Sequence, residues 1–350
     1  MGHIRLVGRV GKTDTAWPHP TGTSGLVSLA MKTILAALSL IALTTGAAKA
    51  QVTAMPRDVQ DVLAAVGPVW GNDIPGNIQR TLEVYTPILR DAPKGGVRII
   101  RDVAYGPDAA QRFDLFQPEG RTDVPIVVFV HGGAYVRGAR NVNEEVYGNV
   151  TTYFARMGML GVNAGYRLAP AAPWPAGAED LRAIVDWLKS NGQRYGADTS
   201  RIYLVGHSAG ATHVASYAFD TSLQPDTGAG IAGVVLMSGR YHVSPEADDP
   251  NFDNVRAYFG ADASQYPQRS SINHIQGAEH IPTFVVIAEY DNPNLDVLGS
   301  ELFAALCERD SACPRFMRLV GHNHLSTVYQ FNTVDDALGR EIVEFIQNGR

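Results

Sequence analysis

From residue 126 onward, short unbroken apolar runs alternate with stretches in which apolar residues recur every three or four positions. A final strand is expected at 316–320, and the runs at 126–130 (Ile-Val-Val-Phe-Val), 159–164, 202–205, 231–237 and 282–288 lack the every-second-residue alternation of a half-exposed strand. They predict strands covered on both faces. The spacing predicts a helix over 178–190, where Leu181, Ile184, Val185 and Leu188 share one face and Gly192 ends it. Strands that alternate with helices build βαβ units and a mainly parallel sheet. Two earlier β segments, 97–105 and 112–117, each bounded by Gly or Pro, are expected to add an antiparallel edge.

Ahead of that sheet, 51–96 is a helical segment. Val59, Val62, Leu63 and Val66 recur at helical spacing until Gly67-Pro68 stops them, and a second helix is expected over 78–89. This segment, with Trp70, either caps a site or covers one side of the sheet. No repeat or linker divides residues 97–350, so they read as one catalytic domain of α/β class.

Residues 31–50, MKTILAALSLIALTTGAAKA, have a different texture. Lys32 precedes an apolar run at 34–43 broken only by Ser39, and Ala48-Lys49-Ala50 follows as a small-x-small cleavage site. That order is a secretory signal peptide, and the run falls short of the roughly 20 apolar residues that span a bilayer. Translation is therefore expected to start at Met31, with residues 1–30 a non-native extension. Cleavage would leave residues 51–350, ample for one large core, in a periplasmic or secreted protein. A net charge of −6 offers no basic patch for nucleic acid. No second apolar stretch is long enough for a membrane span, so the expected partner is a small molecule. The oligomeric state is not legible.

The two cysteines, Cys307 and Cys313, are six positions apart. In an exported chain such a pair is expected to bridge, tying a helix end to the loop before a strand; two free buried thiols are the alternative. Two sulfurs without clustered histidines do not suggest zinc, and no metal or organic cofactor is expected.

The chemistry centres on Gly206-His207-Ser208-Ala209-Gly210, between the strand at 202–205 and a helix of small residues. The two glycines let the chain turn sharply where strand and helix pass close together, which leaves Ser208 strained with its hydroxyl at the C-terminal edge of the sheet. GxSxG alone is common in loops; its place between a buried strand and a helix makes it specific. His131-Gly132-Gly133-Ala134-Tyr135 follows the strand at 126–130, about 75 residues upstream, where oxyanion donors are expected. Losing one such donor costs roughly 3–4 kcal/mol in the transition state. A serine nucleophile also needs a base and an orienting acid, in chain order Ser, Asp or Glu, His. Past the strand at 282–288, Asp291 is the chosen acid, with Glu289 still in the strand and Asp296 opening the next helix. After the last strand, Gly321-His322-Asn323-His324-Leu325 offers two histidines, of which His324 is preferred and His322 stays open.

Together these motifs resemble α/β-hydrolase esterases of the hormone-sensitive-lipase and feruloyl-esterase-like branches, from about Arg112 to the C-terminus. The resemblance implies an eight-stranded, mostly parallel sheet with helices on both faces. It also implies an oxyanion hole from the amides of Gly133, Ala134 and Ala209. Hormone-sensitive-lipase relatives usually read HGGG and GDSAG; Ala134 and His207 stand at the variable positions here. HGGAY with GHSAG looks more like the feruloyl-esterase-like (BD-FAE-like) and kynurenine-formamidase-like branch, which implies either a carboxylic ester or a formamide as substrate. Tyr166-Arg167-Leu168-Ala169-Pro170, Pro173-Trp174-Pro175 and His207 are read as scaffold.

Overall fold

A computed structural model of the chain describes residues 52, 54–244 and 249–349. The leader expected at 31–50, the stretch 1–30 before it and residues 245–248 lie outside the described residues. Eight strands form one sheet: β1 (Val97–Ala104), β2 (Arg112–Pro118), β3 (Val124–Val130), β4 (Leu160–Ala164), β5 (Ala197–His207), β6 (Gly233–Met237), β7 (Thr283–Tyr290) and β8 (Arg315–Asn323). Their order is β1-β2-β4-β3-β5-β6-β7-β8. β2 runs antiparallel to both β1 and β4, and every other neighbouring pair is parallel. This is the expected antiparallel edge on a parallel sheet, the arrangement of an α/β-hydrolase.

Parallel neighbours need crossovers, and helices supply them. Ahead of the sheet lie α1 (Arg57–Val66) and α2 (Ile74–Asp91); α3 (Gly148–Arg156), α4 (Ala176–Asn191), α5 (Ala209–Phe219), α6 (Phe252–Phe259) and α7 (Leu295–Asp310) connect strands, and α8 (Ala337–Asn348) ends the domain. β3 shows why its run is unbroken. Ile126, Val128 and Val130 enter one apolar layer, with Leu181, Ile184 and Val185 of α4 and Val214 of α5. Val127 and Phe129 enter the other, with Val59 and Leu63 of α1, Phe154 of α3 and Ile342 of α8. Each such side chain taken fully out of water contributes about 1.5–3 kcal/mol.

α2 starts earlier than the apolar spacing suggested. Asp73 accepts a 3.0 Å hydrogen bond from the Gly76 amide, and Pro75 suits the first turn, where its missing N–H costs nothing. Tyr85 and Leu89 bury one side of α2 in the second layer, so this segment does cover the sheet. β5 likewise begins five residues before its apolar run, because Asp198-Thr199-Ser200-Arg201 forms a less buried strand end. The 166–170 stretch is scaffold by its contacts: the Arg167 amide and Nε each donate at 2.8 Å to the buried Asp180 carboxylate at the start of α4. A disulfide joins Cys307 of α7 to Cys313 in the loop before β8.

Candidate active site

β5 ends at His207 and α5 begins at Ala209, so Ser208 is the whole turn. Its backbone sits at φ 56°, ψ −123°, which is costly for a residue with a side chain. The turn is held open by its surroundings. The Ser208 amide donates to the Met237 carbonyl at 2.8 Å, at the end of β6. α5 presses so closely on β3 that a Cβ at Gly210 would lie 2.1 Å from the Val130 carbonyl oxygen.

The HGGAY loop is coiled against this turn. Gly133, Ala134 and Tyr135 all have positive φ, at 139°, 47° and 69°. Only glycine fits at 133, where a Cβ would meet the Arg137 carbonyl oxygen at 1.8 Å. The coil places Gly133 and Ala134 on the same cavity as Ser208 and Ala209. His131 anchors its base: the ring Nδ1–H donates to the Gly132 carbonyl at 2.7 Å, and the His131 carbonyl accepts from the Tyr166 hydroxyl at 2.9 Å. Burial pushes the His131 ring down to about 4, so it stays neutral.

Asp291 follows β7 and His324 follows β8, neighbouring strands whose C-terminal ends meet here. His324 Nδ1 donates to Asp291 Oδ1 at 2.6 Å. The other carboxylate oxygen accepts from Ser238 Oγ at 2.6 Å and the Ala288 amide at 3.1 Å. Desolvation alone would raise the Asp291 carboxyl; the hydrogen bonds and charge of His324, with the bonds from Ser238 and Ala288, outweigh it and hold the group below the usual carboxylate range. With Nδ1 engaged, Nε2 is the ring nitrogen left for the cavity, which both His324 and Ser208 line.

The alternatives take other places. β8 extends through His322 to Asn323, with Gly321 at φ 82° beside the register shift between β7 and β8. His322 points elsewhere: Nδ1 meets Ser326 Oγ and Nε2 meets the buried Asp335 carboxylate, each at 3.1 Å. Glu289 accepts from the Gly321 amide at 2.6 Å, which stabilises the strand end, and Asp296 sits exposed in the first turn of α7. His207 packs its ring 4.6 Å from that of His324 and donates from Nε2 to the His324 carbonyl at 2.9 Å. Burial, and then the neighbouring His324, push His207 down to about 3.

Several residues around the site carried no local signal. Trp70 Nε1 donates to Asn292 Oδ1 at 2.8 Å, and Asn323 Nδ2 donates to Thr81 Oγ1 at 3.0 Å. The N-terminal segment is thus bonded to the loops carrying both Asp291 and His324, and Ile74, Ile78 and Leu82 of α2 line the cavity, whose volume is about 310 Å³. Cap and cover are therefore both true of it. Ser238 could have been found, since it directly follows the run at 231–237 at the edge where such residues collect. Among the described residues no cluster of three or more His, Cys, Asp or Glu could hold a metal, and no helix is long and apolar enough to cross a membrane.

Known proteins extend this picture. The esterase LipC of Mycobacterium tuberculosis is 29% identical over 163 residues, 46% of this chain and 36% of the relative. The kynurenine formamidase of Danio rerio is 31% identical over 209 residues, 59% of this chain and 68% of the relative. The mycobacterial esterases LipC, LipI and NlhH are each matched over less than half of their own length. Among solved structures, a hyperthermophilic esterase from the archaeon Pyrobaculum calidifontis superposes with a TM-score of 0.64 at 20% identity, over 84% of this chain and 98% of that one, which establishes the α/β-hydrolase fold. The BD-FAE family profile matches residues 113–292, just over half of the chain and spanning the HGGAY loop, Ser208 and Asp291. The chain therefore belongs to the BD-FAE family.

Proposed function

We propose that the protein is a serine carboxylic ester hydrolase in which Ser208 is the nucleophile, His324 the base and Asp291 the orienting acid. The observation that carries this reading is the 2.6 Å bond from His324 to the buried, ionised carboxylate of Asp291, with a strained serine on the same cavity as His324. His324 Nε2 takes the proton of Ser208 as Oγ attacks the ester carbonyl, and Asp291 stabilises the imidazolium. The tetrahedral oxyanion is received by the amides of Gly133, Ala134 and Ala209, at the N-terminus of α5. The alcohol leaves with the proton from His324. Water then attacks the acyl-enzyme by the same route and releases the acid.

Esterase names among the mycobacterial relatives and the archaeal neighbour support the ester reading. The Danio rerio kynurenine formamidase, matched over two thirds of its length, favours a second one, cleavage of a formamide by the same residues. Hydrolysis of 4-nitrophenyl acetate and of an N-formylated aromatic amine by the purified protein separates them. The ester is expected to turn over at least tenfold faster; the reverse order would replace the reading. Export to the periplasm or medium is proposed from residues 31–50. N-terminal sequencing of the exported protein should begin at Gln51.

A further inference from the structure

The chain carries a net charge of −6, yet the cavity around Ser208 has the opposite bias. Among the described residues that line it there is no aspartate or glutamate, while two arginines, Arg137 and Arg240, do line it. Arg240 is the one buried lysine or arginine among the described residues. A buried guanidinium is costly unless paired, and the buried Asp249 carboxylate pairs with its Nη2. The Tyr135 hydroxyl takes a further hydrogen bond from the same side chain, and the group has five N–H donors in all.

Arg240 is also held in register with the catalytic groups. It lies two residues beyond Ser238, which bonds Asp291. Its amide donates to Thr212 Oγ1 at 3.0 Å, and that hydroxyl meets the Tyr135 hydroxyl of the HGGAY loop at 3.1 Å. Arg137 follows the same loop, is exposed, and makes no ion pair among the described residues. The apolar wall of the cavity comes instead from Ile74, Ile78 and Leu82. Two guanidinium groups on one cavity, the exposed one without an ion pair among the described residues, suit a carboxylate better than a neutral group.

We infer that Arg240 and Arg137 form a recognition site for a carboxylate carried by the ester substrate, on either the acyl or the alcohol side. The inference rests on the ester-hydrolase reading. If Arg240 and Asp249 served only to pin the loop between β6 and α6, their loss would lower stability without altering selectivity.

The test uses the full chain and two matched pairs of esters. On the alcohol side, 4-carboxyphenyl butyrate is compared with 4-carbamoylphenyl butyrate; on the acyl side, mono-4-nitrophenyl terephthalate with 4-nitrophenyl 4-carbamoylbenzoate. In at least one pair the carboxylate ester is expected to have a kcat/KM tenfold or more higher, carried mainly by KM and weakened by 0.5 M NaCl. Arg137→Gln should cut that ratio several-fold. Arg240→Gln combined with Asp249→Asn, which leaves no buried carboxylate unpaired, should bring it close to one, with thermal melting confirming the fold. Equal rates within both pairs for the wild type, or a ratio unchanged in both variants, would overturn the inference while leaving the ester reading intact. If none of the four esters is cleaved, the ester reading falls and this inference with it.

Discussion

The indole Nε1 of Trp70 donates a 2.8 Å hydrogen bond to Oδ1 of Asn292, the residue next to Asp291. Residues 222 positions apart in the chain are thereby joined at the back of the site. Trp70→Phe keeps most of the buried ring and leaves the Asn292 oxygen without its donor, at a cost of about 1–3 kcal/mol. A lower melting temperature and a several-fold fall in kcat/KM are expected. Unchanged melting and kinetics would show that the N-terminal segment does not support the acid loop.

His322 and His324 differ by their partners. Removing His324 takes away the bond to Asp291, and His324→Ala should lower kcat at least about a thousandfold with little effect on folding. His322→Ala removes the ring nitrogen that stands 3.1 Å from the buried Asp335 and leaves that polar group without it, at a cost of about 1–3 kcal/mol. That variant should melt at a lower temperature yet keep kcat within about tenfold when assayed where it is folded. The opposite pattern would transfer the base to His322.

Asp291→Asn should lower kcat by about 10⁴ because the amide no longer fixes the ring of His324 in the required tautomer. The sign of the pH effect follows from the depressed carboxyl of Asp291. Its stabilisation is fully present above the ordinary aspartate value of about 3.9 and is lost as pH falls through the folded value. The stability gap between wild type and variant, measured by urea unfolding, should therefore narrow only below about pH 4.

Three buried histidines give a second pH effect. Burial pushes His131 to about 4 and His207 and His213 to about 3. Each is neutral when folded and becomes protonated on unfolding below about pH 6.5, so the unfolded state binds more protons and stability rises with pH. Each histidine should contribute a slope approaching 1.4 kcal/mol per pH unit across roughly pH 4–6. Among the described residues neither ring nitrogen of His213 has a hydrogen-bond partner, and His213→Leu should remove about a third of the acid slope in urea titrations at several pH values. An unchanged slope would contradict its burial as a neutral ring.

The Cys307–Cys313 bridge closes a short loop far along the chain from Ser208. Replacing both by serine should cost about 2 kcal/mol by the loop-closure estimate and leave kcat within about twofold. A large loss of activity would mean that the bridge shapes the site.

The sheet was legible because both of its faces are covered: Ile126 to Val130 had to be apolar throughout, and that run needs no partner to be recognised. Ser208, Asp291 and His324 stand just past the ends of β5, β7 and β8, and the spacing of the apolar runs alone reveals such positions. The residues around them were hidden for a physical reason. Asp335 opposite His322, Asp249 opposite Arg240 and Trp70 opposite Asn292 are matched across loops by tertiary packing, and neither partner carries a local pattern. The polar start of β5 was missed for the opposite reason, since its outer end is only partly buried and has no apolar run to show.

The most direct measurement is covalent labelling with a fluorophosphonate probe, read by peptide mass spectrometry alongside turnover of 4-nitrophenyl butyrate. The account predicts one labelled residue, Ser208, and a folded Ser208→Ala variant with neither label nor turnover. Labelling at another serine, or undiminished hydrolysis by Ser208→Ala, would contradict it.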